Sequence, residues 1–290
     1  MPSTFDYNPQ AKYEVRSFDV PYQEALGQPW EATIYQPEGD AGPFPAILFV
    51  HGGAWNAGTR TGQEIFNTGL AASGLVIVSI DFRLAPDHPY PAQVEDTSYA
   101  VRWLKAHASE FNASPDSVGG LGSSSGGHTL MLAAMRPHDP RYTVLSSPDV
   151  EGRDGTFAYT IAGWPVLDSF ARYQYAQSDG YDRLVKNTEN YFLNEDAMQE
   201  GSPQGILDRD EETDMPPFLI IQGTADLNIP MSIPRTFAHS YRIAGGDAEL
   251  EEFPDMPHNF VTEASEATDH ALELAKAFVA RQLATTAAAV

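Results

Sequence analysis

Gly122-Ser123-Ser124-Ser125-Gly126-Gly127 lies directly after a short apolar run and directly before a helical one. A Gly-x-Ser-x-Gly turn between a strand and a helix bends the backbone so sharply that its central serine is strained, with its hydroxyl presented at the top of the sheet. Only the frame centred on Ser124 has glycine at both flanking positions, 122 and 126, where a Cβ would collide with the neighbouring strand or helix. Ser124 is therefore the candidate nucleophile. A Ser/Gly-rich loop would account for the same letters, so the chain on either side has to supply the context.

Working outward, Pro45-Ala46-Ile47-Leu48-Phe49-Val50 and Leu75-Val76-Ile77-Val78-Ser79-Ile80 are continuous apolar runs, the pattern of strands buried on both faces. Residues 13–23 and 29–36 alternate loosely between apolar and polar side chains, as half-exposed antiparallel strands do. Four further strands are expected at Ser117 to Gly122, Phe157 to Val166, Pro217 to Gln222 and Ala248 to Phe253. Between them, residues 92–111 place Val101, Leu104, Ala108 and Phe111 on one helical stripe, and residues 264–284 do the same with Leu272, Ala275, Val279 and Leu283. Strands alternating with helices predict an α/β fold with a mostly parallel, eight-stranded sheet covered on both faces. In such sheets a functional site gathers in the loops at the carboxyl ends of the strands.

Two stretches depart from this rhythm. Residues 137–156, rich in Pro, Asp, Ser and Gly, read as an irregular loop. From Asp168 to about Asp214 the chain is polar and aromatic with helix-compatible stretches, which predicts a cap insertion at about 168–214 within a single domain spanning 1–290. A surface excursion with no part in binding is the plainer reading of that segment.

Composition bounds the function. At 290 residues and 42% hydrophobic content the chain can bury one large core but is short for two equal domains. Its 17 basic and 40 acidic residues give a formal charge of -23, which repels phosphate backbones and anionic membrane surfaces. Neither nucleic acid nor membrane is therefore an expected partner, and polyanionic substrates are disfavoured, although net charge says little about the local potential in a pocket. The absence of cysteine removes disulfides and thiolate nucleophiles together. The N-terminal Met1-Pro2-Ser3-Thr4-Phe5-Asp6 has neither the positive segment nor the apolar stretch of a secretory signal. No run reaches the ~18 apolar residues of a membrane helix. A cytoplasmic location is the default, and oligomeric state stays open, a homodimer included.

A serine hydroxyl needs a base within hydrogen-bond reach, and that base needs a third group to hold its tautomer. In the C-terminal third, His239 and His270 fall inside predicted helices, whereas His258 sits in the proline-marked loop Asp255-Met256-Pro257-His258-Asn259-Phe260 after the last strand. His258 is the candidate base. The acid is expected after the preceding strand, where Phe218-Leu219-Ile220-Ile221-Gln222-Gly223-Thr224-Ala225-Asp226 ends a glycine turn in a carboxylate. Asp226 is the choice, with a turn or helix-cap aspartate as its plain reading and Asp255 as the second candidate. Donors for a developing oxyanion are expected from His51-Gly52-Gly53-Ala54-Trp55, where small residues let backbone N–H groups approach a substrate. Gly53 and Ala54 are the donors from that loop, Gly52 is an alternative, and the Ser125 N–H is the third. His51 is expected to orient the turn; no second ligand stands at zinc-like spacing from it, so no metal site is expected.

With these residues in place the chain resembles the α/β-hydrolase superfamily, and within it esterases related to hormone-sensitive lipase and to bacterial feruloyl and acetyl esterases. The likeness rests on His51-Gly52-Gly53-Ala54-Trp55, on Asp81-Phe82-Arg83-Leu84-Ala85-Pro86-Asp87-His88-Pro89-Tyr90-Pro91, on the serine elbow, and on the Asp226 and His258 loops. The Arg83 to Pro91 stretch is similar to a family segment that braces the loop beneath the oxyanion donors. Two features depart from the family pattern. Ala54 stands where the third glycine of the oxyanion loop is usual, and only about a dozen residues precede the first strand, so cover for the site must come from the later insertion.

The resemblance implies a serine carboxylesterase acting on small to medium esters through an acyl-enzyme, with no cofactor and a small-molecule ester as its partner. The same machinery serves amide hydrolysis, and a non-catalytic ligand receptor would be expected to have lost a triad member. Trp55 and Trp164 are the expected substrate-binding residues, with Tyr173 and Tyr175 as further pocket aromatics. Arg172, should it face the cap, could attract a substrate carboxylate.

Overall fold

The structure, a computed structural model, describes residues 7–23, 27, 29–39 and 41–288. The Met1 to Asp6 stretch read for a targeting signal and the last two residues of the alanine-rich tail lie outside the described residues. Among the described residues no helix is long and apolar enough to cross a membrane.

Eight described strands form one sheet in the order β1-β2-β4-β3-β5-β6-β7-β8. Strands β1 (Val15–Gln23) and β2 (Trp30–Pro37) pair antiparallel, and β2 pairs antiparallel with β4 (Val76–Ile80). From β4 onward, through β3 (Phe44–Val50), β5 (Ala113–Ser123), β6 (Thr160–Gly163), β7 (Phe218–Gly223) and β8 (Ala248–Phe253), every pairing is parallel. The two continuous apolar runs occupy the interior, and their alternate residues serve opposite faces. Ala46, Leu48, Val50, Val76, Val78 and Ile80 pack into one core cluster, while Ile47, Phe49 and Ile77 pack into the other. The first cluster is roofed by α2 (Ala92–His107), α3 (Ser125–Met135) and α8 (Ser232–Ile243), the second by α1 (Glu64–Ala71) and α9 (Glu266–Ala288). Two-sided burial is why these strands show no polar alternation.

Strand order places the site. The chain leaves β3 through α1 toward β4 on one side, and leaves β5 through α3 toward β6 on the other. Adjacent strands whose connections diverge leave a crevice beyond their carboxyl ends. Here the register pairs Val50 with Gly122, so the loop that begins at His51 and the elbow that carries Ser124 start side by side.

Several boundaries differ from the sequence reading. The 92–111 helix is α-helical only to His107 and tightens into a 3₁₀ turn over Ala108–Phe111, ended by Asn112 at φ 54°. The expected Phe157 to Val166 strand contracts to Thr160–Gly163, because Trp164 takes a left-handed φ of 41° and Pro165 has no N–H to continue the ladder. Strand β5 begins earlier, at Ala113, which pairs with Phe44 across an irregularity.

Between β6 and β7 the 168–214 segment carries α4 (Ser169–Ser178), α5 (Asp182–Phe192), α6 (Glu195–Glu200) and α7 (Pro203–Asp208). Three of these starts were encoded locally. The side chains of Asp168, Asn194 and Ser202 each accept the backbone N–H three residues on, and Pro203 stands in the first turn of α7 where its missing N–H costs nothing.

Candidate active site

Ser124 stands between β5 and α3 at φ 51°, ψ −120°, a conformation sparsely allowed to a residue with a Cβ. The surroundings impose it. A Cβ at Gly122 would lie 2.7 Å from the Gly126 carbonyl oxygen, and one at Gly126 would run into the carbonyl oxygens of Val50 and His51. The elbow is thus pressed against the end of β3, and only hydrogen at both flanking positions allows the approach. Its backbone is then tied across the sheet, with Ser124 N–H donating to Gly163 O at 2.8 Å and Val166 N–H donating to Ser124 O at 3.2 Å.

Oγ of Ser124 lies 3.0 Å from Nε2 of His258, and Nδ1 of His258 lies 2.7 Å from Oδ2 of Asp226. Asp226 is held from behind. Its Oδ1 accepts the N–H groups of Asn228 at 2.7 Å and Ile229 at 3.0 Å, and its Oδ2 also accepts Nε2 of Gln222 at 2.9 Å. Its carboxylate is fully buried while the imidazole is 19% exposed, so the acid is sheltered and the base faces the cleft. An acceptor on Nδ1 fixes the proton there and leaves Nε2 free to take one from the serine. Asp255, the second candidate acid, is exposed and uses its N–H to bond Thr224 Oγ1, and both His239 and His270 are exposed on helices.

The elbow's other two serines hold the facing loop. Oγ of Ser123 accepts the Gly52 N–H at 2.9 Å, and Oγ of Ser125 accepts the Trp55 N–H at 3.1 Å. That pins both ends of Gly52 to Trp55 and bends its middle, with Ala54 at φ 51° and Trp55 at φ 62°. With Gly52 committed to Ser123, the N–H groups of Gly53, Ala54 and Ser125 donate to no acceptor among the described residues. Ala85 of the Arg83 to Pro91 stretch, with Phe82 and Gln93 flanking that stretch, supports the loop. Ala85 N–H and Gln93 Nε2 both donate to Trp55 O, at 3.0 and 2.7 Å, and Phe82 stacks on the His51 ring at 4.2 Å. His51 itself bonds Gly52 O through Nδ1 at 2.7 Å, and burial pulls its pKa down, consistent with a turn-orienting role.

A cleft of about 340 Å³ opens over Ser124 and His258. Its floor is the Gly52 to Ala54 loop, and its far wall comes from the insertion through Arg172, Arg183, Leu184 and Asn187. Asn56 ties these walls together: its Nδ2 donates to Ala54 O at 2.7 Å and to Asn187 O at 2.9 Å, while its Oδ1 accepts Nδ2 of Asn190 at 2.9 Å.

The expected pocket aromatics are elsewhere. Trp55 is 1% exposed and Trp164 is 2% exposed. Left-handed backbone folds the Trp55 ring back beneath the loop, where it stacks on Tyr191 at 5.0 Å and donates Nε1–H to Nδ1 of His128 at 3.1 Å. Trp164 packs edge-on behind His258 at 6.1 Å and against Phe260 at 5.3 Å, backing the base instead of lining the cleft. Tyr173 donates to Glu189 and Tyr175 to Leu227 O, and neither reaches the cleft. The braces Ser123 and Ser125, the backing Gln222 and the wall residues Arg183 and Asn187 were not singled out for these roles from sequence. For the serines a signal existed, since three successive hydroxyls in so tight a turn must point three ways; for the wall residues there was none.

A serine on a strained turn after an interior parallel strand, faced by a histidine and an acid delivered from the last two strands, is the arrangement of the α/β-hydrolase fold. Solved structures similar to this chain share that fold. The propionate-bound esterase Est2 from Thermogutta terrifontis is 26% identical with a TM-score of 0.70, over 93% of this chain and 94% of that one. An esterase from the archaeon Pyrobaculum calidifontis, at 23% identity, superposes with a TM-score of 0.74 over 94% and 86%. The BD-FAE family model matches residues 33–240, and the chain belongs to that family. Among curated proteins it is similar to the probable carboxylic ester hydrolase LipM of Mycobacterium tuberculosis, 29% identical over 250 residues that make up 84% of this chain and 56% of LipM. It is similar also to the esterase LipC of the same organism, 30% identical over 233 residues, 75% of this chain and 53% of LipC. The chain thus spans about half the length of these curated relatives.

Proposed function

We propose that the chain is a serine carboxylesterase that hydrolyses small to medium carboxylic esters through an acyl-enzyme. The observation that carries the reading is the relay from Ser124 Oγ to His258 Nε2 at 3.0 Å and from His258 Nδ1 to Asp226 at 2.7 Å, beside three backbone N–H groups without acceptors among the described residues. Ser124 Oγ attacks the ester carbonyl as its proton passes to His258 Nε2. The carbonyl oxygen, now negative, is stabilised by the N–H groups of Gly53, Ala54 and Ser125, and the imidazolium by Asp226. The C–O bond to the alcohol breaks as His258 returns the proton to the leaving oxygen. Water then enters, is deprotonated by His258 and releases the acid, restoring the serine. Support comes also from the ester-hydrolase names of the relatives, none of those reported above being an amidase.

We read the 168–214 helices as a cap over this site, on the support that α4 and α5 supply the cleft's far wall. Turnover of p-nitrophenyl butyrate, lost by more than roughly a thousandfold in Ser124→Ala, tests the assignment. Undiminished turnover in that variant would overturn it.

A further inference from the structure

In a chain of 40 acidic and 17 basic residues the arginines and lysines are commonly found beside carboxylates, as Arg60, Arg83, Arg136 and Arg281 are. The two arginines on the cleft wall are not. Arg172 is 2% exposed, yet it makes no ion pair among the described residues. Its side chain's one hydrogen bond among the described residues is from Nη1 to the neutral hydroxyl of Thr188 at 2.8 Å, and its Nε is buried with no partner among them. The guanidinium carbon lies 5.8 Å from the centre of the Trp55 ring, and Arg172 is among the residues that line the cleft. Arg183, one helix further on and exposed at the same wall, has no carboxylate partner among the described residues either.

An isolated buried cation is unfavourable, and a protein that keeps one has two ordinary remedies: a carboxylate nearby, or release of the proton. Burial does pull the Arg172 pKa down, to about 10, with Asp226 opposing that fall and Arg183 adding to it, so the group is still charged at neutral pH. Asp226 acts on it only from a distance, with no ion pair or hydrogen bond between the two, so a direct partner is one that arrives with the ligand. A guanidinium presents parallel N–H donors that match the two oxygens of a carboxylate, and desolvation makes that pairing stronger than it would be at the surface.

We propose that the cleft selects esters that themselves bear a carboxylate, held by Arg172 with Arg183 at the entrance while Ser124 attacks the ester carbonyl. The inference rests on the esterase reading and narrows it to a substrate class: short half-esters of dicarboxylic acids, or short esters of hydroxy acids. A cleft of about 340 Å³ is at the small end of ligand sites, which fits substrates of a few carbons on either side of the scissile bond. The chain's overall negative charge opposes the approach of anions, so the local cations make the site an exception to the field around it.

The test compares kcat/KM within matched pairs on the wild-type protein. Mono-p-nitrophenyl succinate and glutarate against p-nitrophenyl butyrate place the charge on the acyl side; 2-carboxyethyl butyrate against propyl butyrate places it on the alcohol side. The expected result is a preference of at least tenfold for the anion in one pair. In Arg172→Gln the ratio of anionic to neutral rates should fall by tenfold or more, and in Arg183→Gln, where the exposed side chain carries no folding burden, by a few-fold. Binding of succinate, glutarate and adipate against butyrate, read by calorimetry, needs no turnover and should show the same preference in the wild type and its loss in Arg172→Gln. Neutral esters turned over with no anion preference in either pair would overturn the inference and leave the esterase standing. Dicarboxylate binding that needs Arg172, without turnover of any ester, would overturn the esterase reading and keep the anion site.

Discussion

The indole Nε1–H of Trp55 donates to Nδ1 of His128 at 3.1 Å, and Nε2 of His128 in turn bonds Gly201 O at 2.7 Å. Those two partners fix the imidazole as neutral with its proton on Nε2, because a second proton on Nδ1 would face the indole N–H. Full burial adds to this, and the His128 pKa is pulled down to about 4 from an ordinary 6.5. The contact joins three parts of the site, since Trp55 ends the Gly52 to Trp55 loop, His128 belongs to the helix behind the elbow and Gly201 to the link between α6 and α7.

A dependence of stability on acid follows. Above pH 6.5 the group is neutral folded and unfolded and costs nothing. As pH falls from 6.5 toward 4 the unfolded chain takes up a proton that the folded chain refuses, so stability declines by up to about 3 kcal/mol from this group. Thermal melts from pH 7.5 to 4.5 should show the decline, and the His128 ring resonances should stay those of the neutral tautomer until about pH 4. Titration of that ring near 6.5 would contradict the account.

Ser125→Ala removes the acceptor for the Trp55 N–H and frees one end of the donor loop without touching the triad. Turnover should fall by roughly tenfold, about 1.4 kcal/mol, and mainly in kcat, because misplaced donors fail the transition state more than the bound ester. A change confined to KM would argue against the brace.

Asp226→Asn keeps an oxygen for the N–H groups of Asn228 and Ile229 but turns an amide toward His258 Nδ1, forcing the proton to Nε2, where it blocks the serine. A loss of roughly 10³–10⁴ in kcat is expected at neutral pH. Asp255→Asn should stay within about twofold, since that side chain is exposed and outside the relay. Comparable losses in the two variants would mean the wrong acid has been assigned.

Gly126→Ala drives a methyl into the backbone oxygens of Val50 and His51, neither of which can move without disturbing β3. Destabilisation of about 1–3 kcal/mol or more is expected. Gly163→Ala, with nothing within 4 Å of the added carbon, should be close to neutral, and denaturant midpoints for the pair check both.

The fold and the relay were readable because each rests on a local rule. Continuous apolar runs mark strands with two buried faces; Ser124 and Asp226 each follow a fully buried strand end, while His258 follows the half-exposed edge strand β8 and was marked by its proline loop and chain order. The pocket walls were not readable, for a physical reason. Whether Trp55 faces substrate or core depends on the sign of its φ, and no neighbour in sequence announces a left-handed tryptophan. The lining from α5 depends on how an insertion of four short helices docks, which is settled by distant partners such as Asn56 and Trp55 and not by periodicity.

The Asn56 amide fastens the roof and the donor loop to one another. Lifting α5 to admit a bulky molecule would drag on the Ala54 carbonyl and displace the neighbouring N–H groups proposed as the oxyanion donors. Closure of the cleft and the shape of the Ala54 loop are thereby coupled through one side chain.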